Sequence, residues 1–143
     1  MMEISEVRKR VVDTIDRAKK AAADRRARMD EGAREYAVFL ERVAAPTVRS
    51  VANVLKASGY PFTVMTPSGS LRMVSERSAD DYLELEFDST GDDPQVMGRT
   101  NRARGRRIVE SERPLGGGRP IRSLEEEDVL AWLLSSIEPF VER

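Results

Sequence analysis

Cysteine and histidine are both absent from this chain. Without cysteine there are no disulfides, no thiolate metal sites and no thiol nucleophile. Without histidine the usual general base at neutral pH and the commonest metal ligand are missing too, and most hydrolase arrangements fall with them. Aromatic residues make up only 6% of the chain, with one tryptophan. Neither sign of charge dominates: 24 Lys and Arg stand against 25 Asp and Glu, a net charge of −1. No global field therefore steers the chain toward nucleic acid or an anionic membrane, and any such binding must come from a local patch. No segment approaches the roughly 18 apolar residues of a membrane span. The opening Met-Met-Glu-Ile-Ser-Glu carries acids and no apolar run, unlike a signal peptide, so the sequence reads as cytoplasmic.

What is present is a charge-rich but foldable composition, 40% apolar and 34% charged over 143 residues, enough for one domain of ordinary size. The chain divides into a helical segment, 1–58, and an antiparallel sheet with a C-terminal helix, 59–143, which form one domain together with the preceding helix. From Met1 to Ala57 apolar or small residues recur at Ile4, Val7, Val11, Ile15, Ala18, Ala22, Met29, Ala33, Tyr36, Leu40, Val43, Val51, Val54 and Ala57, in steps that follow a helical face. Acid-first pairs four residues apart (Glu6 to Arg10, Asp13 to Arg17, Asp16 to Lys20, Asp24 to Arg28, Asp30 to Arg34) support the exposed side. A helix from Ile4 to Val43 would be on the order of 60 Å long, about twice the diameter of a small domain. Much of it would project beyond any core this chain can build.

Gly32 is the one debatable break. A helical hairpin could turn there, since glycine inside a helix costs roughly 1 kcal/mol relative to alanine. The apolar phase carries through it and no turn cluster surrounds it, which favours a continuous helix pairing with a second copy. Ala45-Pro46 predicts a kink, and Ser58-Gly59 before Tyr60-Pro61 predicts the helix end.

Beyond Pro61 the period shortens to two. Phe62–Thr66 and Ser70–Ser75 flank a Pro67-Ser68-Gly69 turn. Tyr82–Asp88 alternates between Leu83, Leu85 and Phe87 on a buried face and Tyr82, Glu84, Glu86 and Asp88 on a wet one. Gln95–Asn101 and Arg107–Glu112 follow as two further strands. The short connections predict an antiparallel meander of four or five strands. Pro114–Pro120, with its glycine triplet, reads as a flexible linker. Ser123 and Glu126 then form a capping box for a covering helix bearing Val129, Leu130, Leu133, Leu134 and Ile137, which Pro139 should end or kink.

Candidate chemistry is sparse. Arg99, Arg102, Arg104, Arg106 and Arg107 make a basic hairpin that could take nucleic-acid phosphates or another polyanion. No aromatic interleaves them, and cross-strand pairing of Arg99 with Glu84, Glu86 and Asp88 is the plainer account. The carboxylates of Glu84, Glu86, Asp80-Asp81 and Asp92-Asp93 lack calcium-loop spacing and read as turn and surface groups, so no metal site is assigned. Gly116-Gly117-Gly118 lacks the Lys-Ser/Thr of a phosphate loop, and no cofactor is implied. The basic residues of the first helix are interspersed with acids over a Val, Ile and Ala face, which reads as a solvated surface rather than a membrane element. A small-ligand pocket involving Trp132 and Tyr82 is allowed but not indicated.

The sequence thus describes an α+β protein with no assigned catalytic residue: a long N-terminal helix kinked near Pro46, a meander sheet and a C-terminal covering helix. The expected role is non-catalytic protein–protein interaction or scaffolding. The homodimer would form through Val7, Val11, Ile15, Ala18, Ala22, Met29, Tyr36 and Leu40, and nucleic-acid binding at the hairpin is the alternative.

Overall fold

The spacing of apolar positions and the scarcity of helix breakers before Pro46 produce one uninterrupted helix, α1, from Ile4 to Phe39, in a computed structural model that describes residues 1–142. A π-helical turn, Leu40–Ala44, joins it to α2, Ala45–Ala57. Five strands follow: β1 (Phe62–Met65), β2 (Leu71–Ser75), β3 (Tyr82–Asp88), β4 (Gln95–Arg104) and β5 (Arg107–Pro114). Two 3-10 turns, Leu115–Gly118 and Ile121–Ser123, lead to α3, Glu126–Val141. The fold class is α+β, as the sequence implies.

Gly32 lies within α1 rather than at a turn. Its role is close approach: a Cβ at this position would overlap the Pro94 ring and come within 3.6 Å of Phe87. The glycine lets the helix press against the loop between β3 and β4. The irregularity expected at Pro46 falls one turn earlier. Pro46 has no N–H to give the helix, and the preceding turn widens so that the Ala45 N–H reaches the Leu40 carbonyl. The Thr47 hydroxyl then donates to the Val43 carbonyl at 2.8 Å. The helix ends where Gly59 predicts, with the Tyr60 N–H returning to the Leu55 carbonyl at 2.8 Å.

The sheet runs in sequence order, β1-β2-β3-β4-β5, with every pair antiparallel. Its register puts Leu71, Met73, Leu83, Leu85 and Val96 on one face, all nearly fully buried. Val48, Ala52 and Leu55 of α2 and Val129, Trp132 and Leu133 of α3 complete this core. Gly98 is a second close approach, since any Cβ there would overlap the Trp132 indole. Phe140 meets Phe62 edge-on at 6.2 Å. Pro139 lies inside the last turn of α3, which continues to Val141.

Three expectations need correction. The segment from Pro114 to Pro120 is an ordered turn: Leu115 is buried, and Gly116, Gly117 and Gly118 hold φ of 61°, 69° and 82°, values that only glycine adopts freely. The cap of α3 is Glu125, not Ser123. Glu125 and Asp128 form the reciprocal box, with the Asp128 carboxylate accepting from the Glu125 N–H at 2.8 Å. That backbone bond and the Arg119 guanidinium at 2.6 Å hold the Asp128 carboxyl below the usual carboxylate range. Ser123 instead donates to the Pro120 carbonyl, because burial of Leu124 delays the helix start. Finally, the outer face of β3 is not simply wet. Glu84 is only 7% exposed, held by Arg72 at 2.7 Å and by the Ser70 hydroxyl at 3.3 Å.

Candidate interaction surfaces

The register aligns Met65, Arg72, Glu84, Arg99 and Glu112 as one row across all five strands of the outer face. Charge alternates along it. Arg72 meets Glu84, and Arg99 pairs with Glu86 and, at 3.2 Å, with Glu112. Arg72 also lies 4.0 Å above the Tyr82 ring. Hydrogen bonding by Glu84 raises the Arg72 pKa. Arg99 is therefore part of this row, as cross-strand pairing predicts, and stands apart from the other hairpin arginines.

Those arginines sit elsewhere. β3 stops pairing with β4 at Asn101, opposite Tyr82, whereas β4 and β5 remain paired to Arg104 and Arg107. Residues 102–109 therefore project as a two-stranded ribbon. Its base is braced by Asn101, which donates to the Asp80 carbonyl at 2.7 Å, and by the Asp81 carboxylate, which accepts from the Ala103 N–H at 2.8 Å. Among the described residues, the guanidinium groups of Arg102, Arg104, Arg106 and Arg107 make no ion pair.

At the other end of the sheet α1 is clamped to the loop after β3. Arg25 donates to the carbonyls of Ser89 and Gly91, at 2.8 and 3.1 Å, and Arg28 reaches the Asp92 carbonyl and the Asp93 carboxylate. The Thr90 hydroxyl and N–H donate to Asp88, holding its carboxyl below the usual range. Of the charge pairs expected along the helix, Glu6 to Arg10 forms at 3.0 Å. Arg28 has turned to the loop, and Arg34 prefers Glu31, at 2.5 Å, to Asp30.

The apolar positions of α1 consequently split into two groups. Tyr36 and Leu40, expected on the self-association seam, belong to the chain's own interior. The Tyr36 hydroxyl donates to the Gly69 carbonyl at 2.6 Å, its ring lies 5.5 Å from that of Phe87, and burial pushes its phenol pKa well up. Leu40 packs against the same cluster, and Met29 is half-buried. Residues 4–24 are all exposed. They leave Ile4, Val7, Val11 and Ile15 uncovered, at 82%, 45%, 51% and 45% exposure, with Ala18 and Ala22 continuing the line.

Trp132 and Tyr82 lie on opposite faces of the sheet and share no pocket. The carboxylates considered for a metal are engaged separately: Glu84 and Glu86 by arginines, Asp93 by Arg28, and Asp81 by the ribbon backbone. Among the described residues no group of three or more Asp or Glu is placed to hold a metal ion, and no helix is long and apolar enough to cross a membrane. Compared with known proteins, the chain matches no family model, no curated protein and no solved structure.

Proposed function

We propose that this protein is a non-catalytic interaction module that self-associates through the N-terminal arm of α1, residues 4–24. The observation that carries the reading is the uncovered apolar stripe Ile4, Val7, Val11, Ile15, Ala18 and Ala22, continuous with the helix face that packs on the chain's own sheet from Gly32 onward. Burying such β-branched side chains removes apolar surface from water at about 25 cal/mol per Å².

The partner that fits is a second copy in antiparallel orientation. From Arg25 onward the same side of the helix is occupied by the chain's own loop and sheet. Only about 31 Å of helix, at 1.5 Å per residue, is open to a partner. A parallel copy would bring its own sheet into that filled end, whereas an antiparallel copy places the two sheets at opposite ends. The antiparallel pairing also opposes Ile4 to Ala22, Val7 to Ala18 and Val11 to Ile15, large residues largely against small ones. One edge of the stripe carries Arg8 and Lys19, which meet each other across the pair and repel; the other carries Glu3 and the uncharged Thr14. Surface charge contacts of this kind are worth only about 0–1 kcal/mol each, so burial sets the affinity.

Light scattering at tens of micromolar tests the reading. The expected mass is twice 16.1 kDa, falling to 16.1 kDa for Val11→Asp with the melting temperature of the body unchanged. A monomeric wild-type mass would refute it.

A further inference from the structure

A second surface, independent of the arm, is the ribbon at the opposite end of the sheet. The sequence presents its basic segment as opposed by Glu110 and Glu112, but the register separates the two signs. Gly98, Thr100, Arg102 and Arg104 of β4 pair with Arg113, Ser111, Val109 and Arg107 of β5 and share the inner face of the hairpin. Glu110 and Glu112 pair with Asn101 and Arg99 on the outer face, where Glu112 is bound to Arg99. The inner face of the hairpin therefore carries four arginines and no carboxylate. Arg113 is tied to Ser135 of α3; beyond it Arg102, Ala103 and Val109 at the ribbon's base are half-buried, and residues 104–108 at its tip are exposed.

Three further observations point the same way. Arg104 and Arg107 stand directly opposite each other across the strands, an arrangement that destabilises a hairpin unless an anion lies between or above the two charges. Arg106 occupies the two-residue turn beside Gly105 and adds a fourth free guanidinium at the tip. The reverse of the tip is small and apolar, Ala103 opposite Ile108, and offers nothing to an anion.

We infer that this ribbon is a binding site for double-stranded DNA, with Arg102, Arg104, Arg106 and Arg107 contacting backbone phosphates. The shape selects a duplex. A two-stranded ribbon fits the major groove, about 12 Å wide and 8.5 Å deep, and three residue pairs beyond β3 extend it by about 10 Å. Single strands are held mainly by stacking on aromatics, and the ribbon has none. The deep, narrow major groove of A-form RNA does not admit side chains in this way. The net charge of −1 confines the attraction to the ribbon and makes it short-ranged.

Fluorescence anisotropy with a short labelled DNA duplex tests the site. Four phosphate contacts predict a log–log salt slope of about −3.6, so that affinity falls about 150-fold between about 50 and 200 mM salt. Replacing Arg102, Arg104, Arg106 and Arg107 with Ala should remove that slope and lower affinity at least about 30-fold at about 50 mM salt. The control is Arg42→Ala, Arg49→Ala and Lys56→Ala, three exposed cations on the helical layer, which should change affinity less than about threefold. No binding at about 50 mM salt overturns the site, as does a control that loses as much as the ribbon variant. Equal affinity for a single strand of the same length overturns the duplex assignment. Circular dichroism of each variant verifies that the fold is intact. Val11→Asp, monomeric under the preceding proposal, should retain the salt slope of each subunit, so failure of one reading leaves the other testable.

Discussion

Residues 25–39 of α1 and residues 4–22 carry the same spacing of small and apolar positions, yet Gly32, Tyr36 and Phe39 of the first are covered by the sheet and its loops while the second face solvent. The two halves differ in what stands opposite them. Along the C-terminal half, Pro94 fits against Gly32, Phe87 against Tyr36, and the Ser89–Asp93 loop beneath Arg25 and Arg28. Along the N-terminal half the chain supplies no neighbour. Periodicity therefore marks a face that can be buried, and the tertiary neighbours decide whether one chain buries it alone.

The sharpest way to break this comparison is to make the same kind of change in both halves. Phe39→Ala, in the covered half, should destabilise the chain by about 3–5 kcal/mol. Val11→Ala, in the bare half, should shift the unfolding midpoint of the monomer by less than about 0.5 kcal/mol. Urea unfolding at low protein concentration measures both, and equal costs would mean that the arm is part of the core. A smaller effect probes the contact at Gly32. Alanine would gain roughly 1 kcal/mol of helix propensity, but its Cβ overlaps Pro94, so Gly32→Ala should be destabilising overall by about 1–2 kcal/mol. A stabilising result would place the helix farther from the loop than described.

The elements themselves were largely legible. Punctuation at Gly59 and at Pro67-Ser68-Gly69, alternation from Tyr82 to Asp88 and short connections define the meander, and the unbroken apolar phase carries α1 through Gly32. What was hidden depends on pairs of elements. The reason for Gly32 lies in Pro94, distant in sequence. Glu84 looks solvent-facing by alternation alone, and only the register that brings Arg72 beside it explains its burial. Ser123 has the residue type of a cap, but the buried Leu124 moves the helix start to Glu126. Tyr36 and Leu40 share the phase of Val11, so no local signal could assign them to the interior. The segregation of the hairpin arginines from Glu110 and Glu112 follows from pairing parity, which a shift of one residue would reverse.

The absence of cysteine allows a single introduced thiol to be spin-labelled without background. The most direct measurement is the distance between labels in two copies of the protein, attached at Glu3→Cys in one sample and at Thr14→Cys in another, both on the same edge of the arm. Antiparallel pairing predicts nearly aligned labels at residue 14 and an axial offset of about 30 Å at residue 3, from 1.5 Å of rise per residue. Equal separations at the two sites, or no dipolar coupling at either, would contradict self-association of the arm in this form.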